Sequence, residues 1–192
     1  MDIVTRAILS MALLVALSLG LRMATGKVRY SNLLDTKGLT FERTLLVSLL
    51  GPLLAFELVY PRLFLEIVYL DLPAWINQLG AGLVLLAVLI RIWSQVTLKS
   101  QWAADLSLDK EHSLITTGPY RFVRHPMYMC YFPAAIGFLL ATSNLLIGTL
   151  SLLYLGVSIL RIPDEEKLLL AAFGDRYRQY QTKTPRRVFP GL

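Results

Sequence analysis

Long apolar segments with few charges are the feature that most constrains this chain. A helix needs about 20 apolar residues to cross the roughly 30 Å of hydrocarbon in a bilayer. Segments slightly shorter than that need their flanking residues, or local thinning of the bilayer, to cross. The sequence therefore predicts an all-α fold, a polytopic membrane helix bundle of about five transmembrane helices. The predicted spans are residues 7–23, 45–60, 75–93, 127–142 and 145–162.

Composition agrees with lipid as the solvent. Hydrophobic residues make up 55% of the 192 residues and charged residues only 17%, with a mean hydropathy of +0.56. Soluble domains usually have about 25% charged residues. The single cysteine, Cys130, lies in an apolar run, and we expect a small buried residue without an intrachain disulfide. No linker or repeat divides the chain, so residues 1–192 form one membrane domain, with N-terminal spans at 1–93 and a functional core at 94–192.

Two of the five segments leave alternatives open. Residues 7–23 follow Arg6 and could be a cleaved signal peptide. However, Asp2 weakens the positive end and no clear cleavage site follows, so we predict a retained helix. Glu57 and Pro61 interrupt the second segment, which could end at the proline or continue to residue 70.

Basic residues are distributed unevenly around the spans. Seventeen of the 19 Lys and Arg residues fall at the ends of segments one, three and five or in the stretches after them, and only Arg6 and Arg62 lie elsewhere. The positive-inside rule then predicts an N-terminus outside and a C-terminus in the cytoplasm, with any active site on the cytoplasmic side. Basic loops beside anionic lipid headgroups explain the net charge of +6, so no nucleic-acid partner is expected.

Common soluble-enzyme signatures are missing from the chain. There is no Gly-rich nucleotide loop, no nucleophile elbow and no HExxH motif. His112 and His125 have no Cys or carboxylate at ligand spacing, so no metal is expected. What remains is a pair of polar clusters, in the loop at 94–126 and the tail at 163–192, where the spans meet the cytoplasm.

The first cluster covers residues 118–128. Gly118-Pro119 predicts a turn, and Pro126 fits the first turn of a helix whose free backbone N–H groups could bind an anion. A simpler interpretation is that this cluster only anchors the protein at the interface. The anchoring residues would then be Tyr120, Arg121, Arg124, His125 and Tyr128.

The second cluster begins at Arg161, where segment five leaves the membrane. Pro163 followed by three acidic residues predicts a helix start, with Asp164 and one Glu as capping residues. Capping does not explain Arg161, which helical spacing places on one face with Glu165. An ionisable residue at the end of a span is a functional candidate, and snorkelling is the competing interpretation.

The tail beyond this cluster is amphipathic. It is predicted to lie on the membrane surface or to cap the cytoplasmic loop. Gly174 is expected to separate two helical pieces, and Tyr177 to be a packing residue.

These clusters, in this order, resemble the isoprenylcysteine carboxyl methyltransferase family, which is related to the phospholipid N-methyltransferases. The likeness covers residues 102–190, whereas residues 1–90 match only as generic spans. It rests on His112-Ser113-Leu114-Ile115, Gly118-Pro119-Tyr120, Arg124-His125-Pro126-Met127-Tyr128, Arg161, Glu165-Glu166, Phe173-Gly174 and Tyr177.

The resemblance implies carboxyl O-methylation, dependent on S-adenosylmethionine, of an isoprenylcysteine-type acceptor that enters from the bilayer. It implies that the cytoplasmic loop and the C-terminal amphipathic helix form the cofactor site. Arg161 and Glu165 would be catalytic, with Glu165 holding the amino end of the cofactor and Arg161 the acceptor carboxylate. Asp105 matches a cofactor contact only loosely. The other cofactor-binding residues implied are His112, Ser113, Leu114, Ile115, Tyr120, His125, Pro126, Met127 and Tyr128.

Other acceptors and another class of function stay open. A carboxylate is already an anion and a sulfonium methyl is already activated, so this reaction requires neither a base nor a metal. A phospholipid amine or a small thiol would need a base such as Glu166 or His125, and a quinone-like lipid is a further alternative. A non-enzymatic transporter or scaffold would need polar residues inside the spans, where few occur beyond Glu57, Asn77 and Gln78. The sequence leaves the oligomeric state open.

Overall fold

The computed structural model describes residues 5, 10, 51, 53–55, 57, 59, 68–98 and 113–189. The regular secondary structure of this part of the chain is helical, apart from one isolated β-bridge between Tyr69 and Asn144. The all-α prediction is therefore confirmed for the described residues. The helices are α1 (Ala74–Leu98), a short 3-10 helix (Gly118–Arg121), α2 (Pro126–Met129), α3 (Tyr131–Thr142), α4 (Leu145–Leu160), α5 (Ile162–Phe173) and α6 (Asp175–Lys183).

Among the described residues, two helical runs are long and apolar enough to cross a membrane, judged by length and composition. They are Ala74–Leu98 and Leu145–Phe173, and the apolar run Pro126–Thr142 is shorter. Large apolar side chains, among them Trp93 and Leu153, are exposed on their outer faces, as suits contact with lipid. Most of the first two predicted spans lies outside the described residues, although residues 51, 53–55, 57 and 59 are helical. The count of five spans stays a prediction.

Small residues bring α1 and α3 into close contact. A Cβ atom on Gly137 would lie 2.8 Å from the Gly80 carbonyl oxygen and 2.8 Å from Val84 Cγ2, so only glycine fits there. Ala81, Val84 and Ala141 form the buried core of the same interface. Small residues let helix backbones approach closely where lipid provides no hydrophobic drive for association.

The predicted hairpin between the fourth and fifth segments is confirmed. Ser143 ends α3 in the left-handed region, with a φ of 55°. Asn144 then caps α4, because its side-chain oxygen accepts hydrogen bonds from the backbone N–H groups of Leu146 and Ile147. Two residues therefore reverse the chain and satisfy part of the next helix end.

A break at Cys130 divides the fourth segment into α2 and α3. Pro133 lies in the first turn of α3 and has no N–H to donate to the preceding turn, which explains the break. Pro126 starts α2, as predicted. Cys130 is buried and free, also as predicted, and its thiol donates to the Met127 carbonyl at 3.0 Å.

Candidate active site at the end of the hairpin

A buried carboxylate, Glu166, lies at the centre of a polar cluster beyond the end of α4. Its side chain is 8% exposed, and Arg124 Nε donates to its Oε1 at 2.7 Å. Arg187 Nε donates to the other carboxylate oxygen at 3.0 Å. His125 Nε2 lies 3.4 Å from Oε1, and the Tyr177 hydroxyl donates to the same oxygen at 3.4 Å. Four side chains therefore surround one carboxylate; we call these five residues the Glu166 cluster.

Arg124 is also fixed by the backbone of the tail. Its Nη1 donates to the carbonyls of Thr184 and Pro185, each at 2.7 Å. Arg124 and His125 are only 8% and 4% exposed, so the interpretation of these two residues as interfacial anchors is wrong. A buried guanidinium must be paired, and the carboxylate and carbonyls supply that pairing.

The tail returns to the cytoplasmic loop and closes this cluster. The backbone N–H groups of Arg124 and His125 donate to the carbonyls of Arg186 and Arg187, at 3.0 and 2.8 Å. The path depends on Gly174, which separates α5 from α6 with a φ of 52°, as the sequence predicted. Of the two predicted positions for the tail, the contacts favour capping of the loop.

Buried tyrosines hold the tail against the loop as neutral hydrogen-bond donors. The Tyr180 hydroxyl donates to the Tyr120 carbonyl at 2.6 Å. Burial raises the pKa of Tyr177 well above its usual range, and the Glu166 charge raises it further. Burial likewise raises the pKa of Tyr180. Tyr177 is 1% exposed, so its predicted packing role is confirmed.

Glu165 differs from its neighbour in what its carboxylate contacts. Its side chain is 30% exposed, yet Oε2 is buried and accepts no hydrogen bond from the described residues. His125 Nδ1 lies 3.9 Å from Oε2, which is beyond hydrogen-bond distance. Tyr120 is close enough for the Glu165 charge to add to burial in raising the pKa of that phenol. One buried carboxylate oxygen is therefore left for a donor from outside the described chain.

Arg161 joins α4 to α5. The Glu165 backbone N–H donates to the Arg161 carbonyl at 3.0 Å, which places the two residues one helical turn apart, as predicted. Pro163 lies in the first turn of α5, also as predicted. Arg161 is half-buried, and its guanidinium makes no hydrogen bond or ion pair within the described part of the chain.

A row of aromatic rings leads from the Glu166 cluster into the hairpin. Ring centroids are 5.8 Å apart between His125 and Tyr128, 6.0 Å between Tyr128 and Tyr131, and 5.1 Å between Tyr131 and Tyr154. Arg91 of α1 donates to the Tyr131 hydroxyl at 3.2 Å. The row therefore connects the polar cluster to a guanidinium that lies inside a predicted span.

For the remaining predicted site residues the structure gives burial but few contacts. Pro126 is buried, Met127, Leu114 and Ile115 are half-buried, and Ser113 is exposed. Their roles stay predictions. His112 and Asp105 lie outside the described residues. The sequence did not indicate site roles for Arg91, Arg124 and Arg187, and it indicated Glu166 only as an alternative base. Glu166 meets Arg124 and Arg187 across long separations in the chain.

Comparisons with known proteins find similarity to one family model, to curated methyltransferases and to metal-resistance proteins. Residues 80–171 match the model of the isoprenylcysteine carboxyl methyltransferase (ICMT) family. A protein-S-isoprenylcysteine O-methyltransferase of Schizosaccharomyces pombe is 40% identical over 78 residues, which are 40% of this chain and 33% of that protein. The cobalt-zinc-cadmium resistance protein CzcN of Cupriavidus metallidurans is 31% identical over 120 residues, 62% of this chain and 52% of that protein.

A solved structure shows that the fold is shared. The structure of the eukaryotic intramembrane Ras methyltransferase ICMT matches with a TM-score of 0.56 at 22% sequence identity. The match covers 84% of this chain and 55% of that chain. The chain thus spans between a third and about half of the length of the proteins that it matches.

Proposed function

We propose that this chain, whose residues 80–171 match the model of the isoprenylcysteine carboxyl methyltransferase family, methylates the carboxylate of a lipophilic, isoprenylcysteine-type acceptor with S-adenosylmethionine as the methyl donor. Some relatives that the chain matches are named as methyltransferases, and others are named as metal-resistance proteins. The names of the relatives therefore do not decide the acceptor, and we infer it from the residues of the site.

The observation that carries this proposal is the contrast between two adjacent carboxylates. Glu166 is held by four side chains, whereas Glu165 keeps a buried oxygen without a donor among the described residues. A buried, unpaired carboxylate oxygen is unfavourable. A cationic amino group bound beside it would remove that penalty. S-adenosylmethionine carries such a group, so Glu165 fits the amino end of the cofactor.

The reaction asks little of the protein beyond alignment and exclusion of water. When bound, S-adenosylmethionine supplies a methyl group on a positively charged sulfur; an acceptor oxygen takes it as the carbon–sulfur bond breaks, and that electron pair stays on sulfur. The carboxylate becomes a neutral ester, and no proton moves. Arg161 would bind and orient the acceptor carboxylate through its paired N–H donors.

The guanidinium groups of Arg161 and Arg91 also favour a carboxylate as the acceptor. Arg161 has no partner within the described chain, and the described partner of Arg91 is the neutral Tyr131 hydroxyl. A guanidinium at membrane depth attracts an anion. An amine or thiol acceptor would need a base, and Glu166 is already engaged by Arg124 and Arg187.

We further propose that five helices cross the bilayer, with the N-terminus outside and this site in the cytoplasm, on the strength of the basic loops. A labelling scan with an impermeant thiol reagent would test this, with buried Cys130 as a silent background. Thr182→Cys should be protected from outside, and Asp2→Cys should be labelled. Labelling of both positions from the same side would reject the topology.

Methyl incorporation by the purified protein tests the activity itself. Labelled S-adenosylmethionine is offered with a prenylated cysteine, with phosphatidylethanolamine and with a simple thiol in parallel. We expect label in the prenylated cysteine as a base-labile ester. Label in the amine or the thiol alone would replace the proposed acceptor, and no incorporation into any of them would reject methyl transfer to these classes.

A further inference from the structure

Ser158 of α4 has a buried hydroxyl without a hydrogen-bond partner among the described residues. Buried Ser and Thr side chains in helices usually donate to the carbonyl four residues earlier. Ser94, Thr142 and Ser151 all do so, at 2.7–2.8 Å. Ser158 is 0% exposed, and its Oγ bonds to nothing within the described residues.

Ser158 lies on the face of its helix that also carries residues of the candidate site. Tyr154 is one turn earlier and packs against Tyr131, and Glu165 is two turns later and faces His125. Residues spaced by three, four and seven share one face of a helix. Arg161 follows Ser158 by three residues, and its N–H donates to the Ser158 carbonyl at 3.3 Å. The unpartnered hydroxyl therefore lies between the aromatic row and the two ionisable residues.

Depth in the membrane decides which ligand this hydroxyl meets. Three residues correspond to about 4.5 Å of helix rise, so Ser158 lies that much deeper in the hydrocarbon than Arg161. The cofactor is highly charged and fits the Glu165 end, which faces the cytoplasm in the proposed topology. A lipophilic acceptor approaches from the opposite, apolar direction and brings its carboxylate past Ser158.

We propose that the Ser158 hydroxyl donates a hydrogen bond to one carboxylate oxygen of the acceptor while Arg161 binds the other, so that Ser158 is an acceptor-positioning residue. This rests on the proposed function, since it takes the acceptor to be a carboxylate. Acceptor binding would then give the Ser158 hydroxyl the hydrogen-bond partner that it lacks without ligand. The cofactor would do the same for Glu165 Oε2.

Ser151 supplies a matched control, because it is buried on the same helix and bonds to the Ile147 carbonyl at 2.8 Å. Affinity for a prenylated N-acetylcysteine is measured on the detergent-solubilised protein, together with affinity for S-adenosylmethionine and the unfolding midpoint without ligand. For Ser158→Ala we expect about three- to tenfold weaker acceptor binding. Cofactor affinity should be unchanged, and the ligand-free unfolding midpoint equal to or above that of the wild type, since an unsatisfied buried group is removed.

For Ser151→Ala we expect unchanged acceptor affinity and a lower unfolding midpoint. Equal acceptor affinity of Ser158→Ala and wild type overturns the assignment of Ser158 and leaves methyl transfer intact. A lower midpoint of ligand-free Ser158→Ala also overturns it, because the hydroxyl is then structural. If the wild type binds the probe but transfers no methyl group, the proposed function fails, while the ratio of the two affinities still decides the role of Ser158.

Discussion

A buried carboxylate lies at each end of the hairpin, but the polar groups around it are hydrogen-bonded to a different extent at the two ends. At the 143–144 turn, Glu57 accepts hydrogen bonds from the Tyr69 hydroxyl at 2.7 Å and from Asn144 Nδ2 at 3.2 Å. Asn77 extends the same network, with its Nδ2 donating to the Ser143 hydroxyl at 2.7 Å. We call these five residues the turn cluster.

The difference lies in how completely each end satisfies its own polar groups. In the described chain, no side-chain oxygen or nitrogen of the turn cluster is buried without a partner. At the other end the side chains of the Glu166 cluster are paired, but Glu165 Oε2 and the Ser158 hydroxyl, two helical turns earlier, have no hydrogen-bond partner among the described residues. Buried polar groups in native proteins are nearly always paired. The turn cluster therefore has the character of a structural joint, and the opposite end that of a binding site.

Of the substitutions that test this difference between the two ends, removal of the Glu166 charge should have the largest effect on stability. Glu166→Gln leaves the Arg124 guanidinium buried without a carboxylate, which costs about 3–5 kcal/mol. The unfolding midpoint in detergent should fall sharply, and activity with it. The control is Asp175→Asn, which breaks an exposed ion pair with Arg178 and should change stability by less than about 1 kcal/mol. Similar losses in both variants would contradict a central structural role for Glu166.

The neighbouring substitution, Glu165→Gln, should separate binding from stability. The cofactor would lose a charge-assisted contact worth about 2–5 kcal/mol, which is at least about thirtyfold in affinity. The unfolding midpoint without ligand should stay close to the wild-type value, because Oε2 has no hydrogen bond to lose among the described residues. Calorimetry with S-adenosylmethionine measures the first quantity. Unchanged affinity would reduce Glu165 to a helix-capping residue.

A smaller but more specific effect is expected for Arg161→Lys. Lysine keeps the charge but loses the planar pair of donors that a carboxylate matches. Turnover of the acceptor should fall by roughly tenfold, while cofactor affinity stays nearly intact. Arg178→Lys, at an exposed position of α6, is the control and should be neutral. Near-normal turnover of Arg161→Lys would favour a snorkelling role.

The smallest effect belongs to the turn cluster. Asn144→Ala removes the cap of α4 and one donor to Glu57, for a loss of about 1–2 kcal/mol in stability. Cofactor and acceptor affinities should not change, because the turn lies at the far end of α4. A selective loss of ligand affinity in this variant would mean that the two ends of the hairpin are coupled.

Local signals explain what the sequence predicts correctly. Pro126, Pro163, Gly174 and the Ser143-Asn144 turn each begin or end a helix through their own backbone preferences, and all four were located from the sequence alone. The apolar runs also located the helices of the third, fourth and fifth segments, although α1 extends beyond the predicted residue 93 to Leu98. Such features need only a few neighbouring residues to decide them.

Long-range pairing explains what the sequence does not predict. Arg124 and Glu166 are 42 residues apart, and their contact depends on the return of the tail to the loop. Two consecutive glutamates differ by about 100° around a helix, so spacing alone could not decide which one is buried. The basic and aromatic residues at 120–128 suggested an interfacial belt, because burial by a distant segment leaves no local mark.

The return of the tail makes the order of synthesis matter. Arg124 and His125 receive their backbone partners from residues 186 and 187, and Glu166 receives a guanidinium from Arg187. A ribosome delivers these residues after α1, the hairpin and α5 have already been made. The helices can therefore enter the bilayer before the tail closes the Glu166 cluster. Membrane insertion and closure of the cluster become two successive events in the life of this chain.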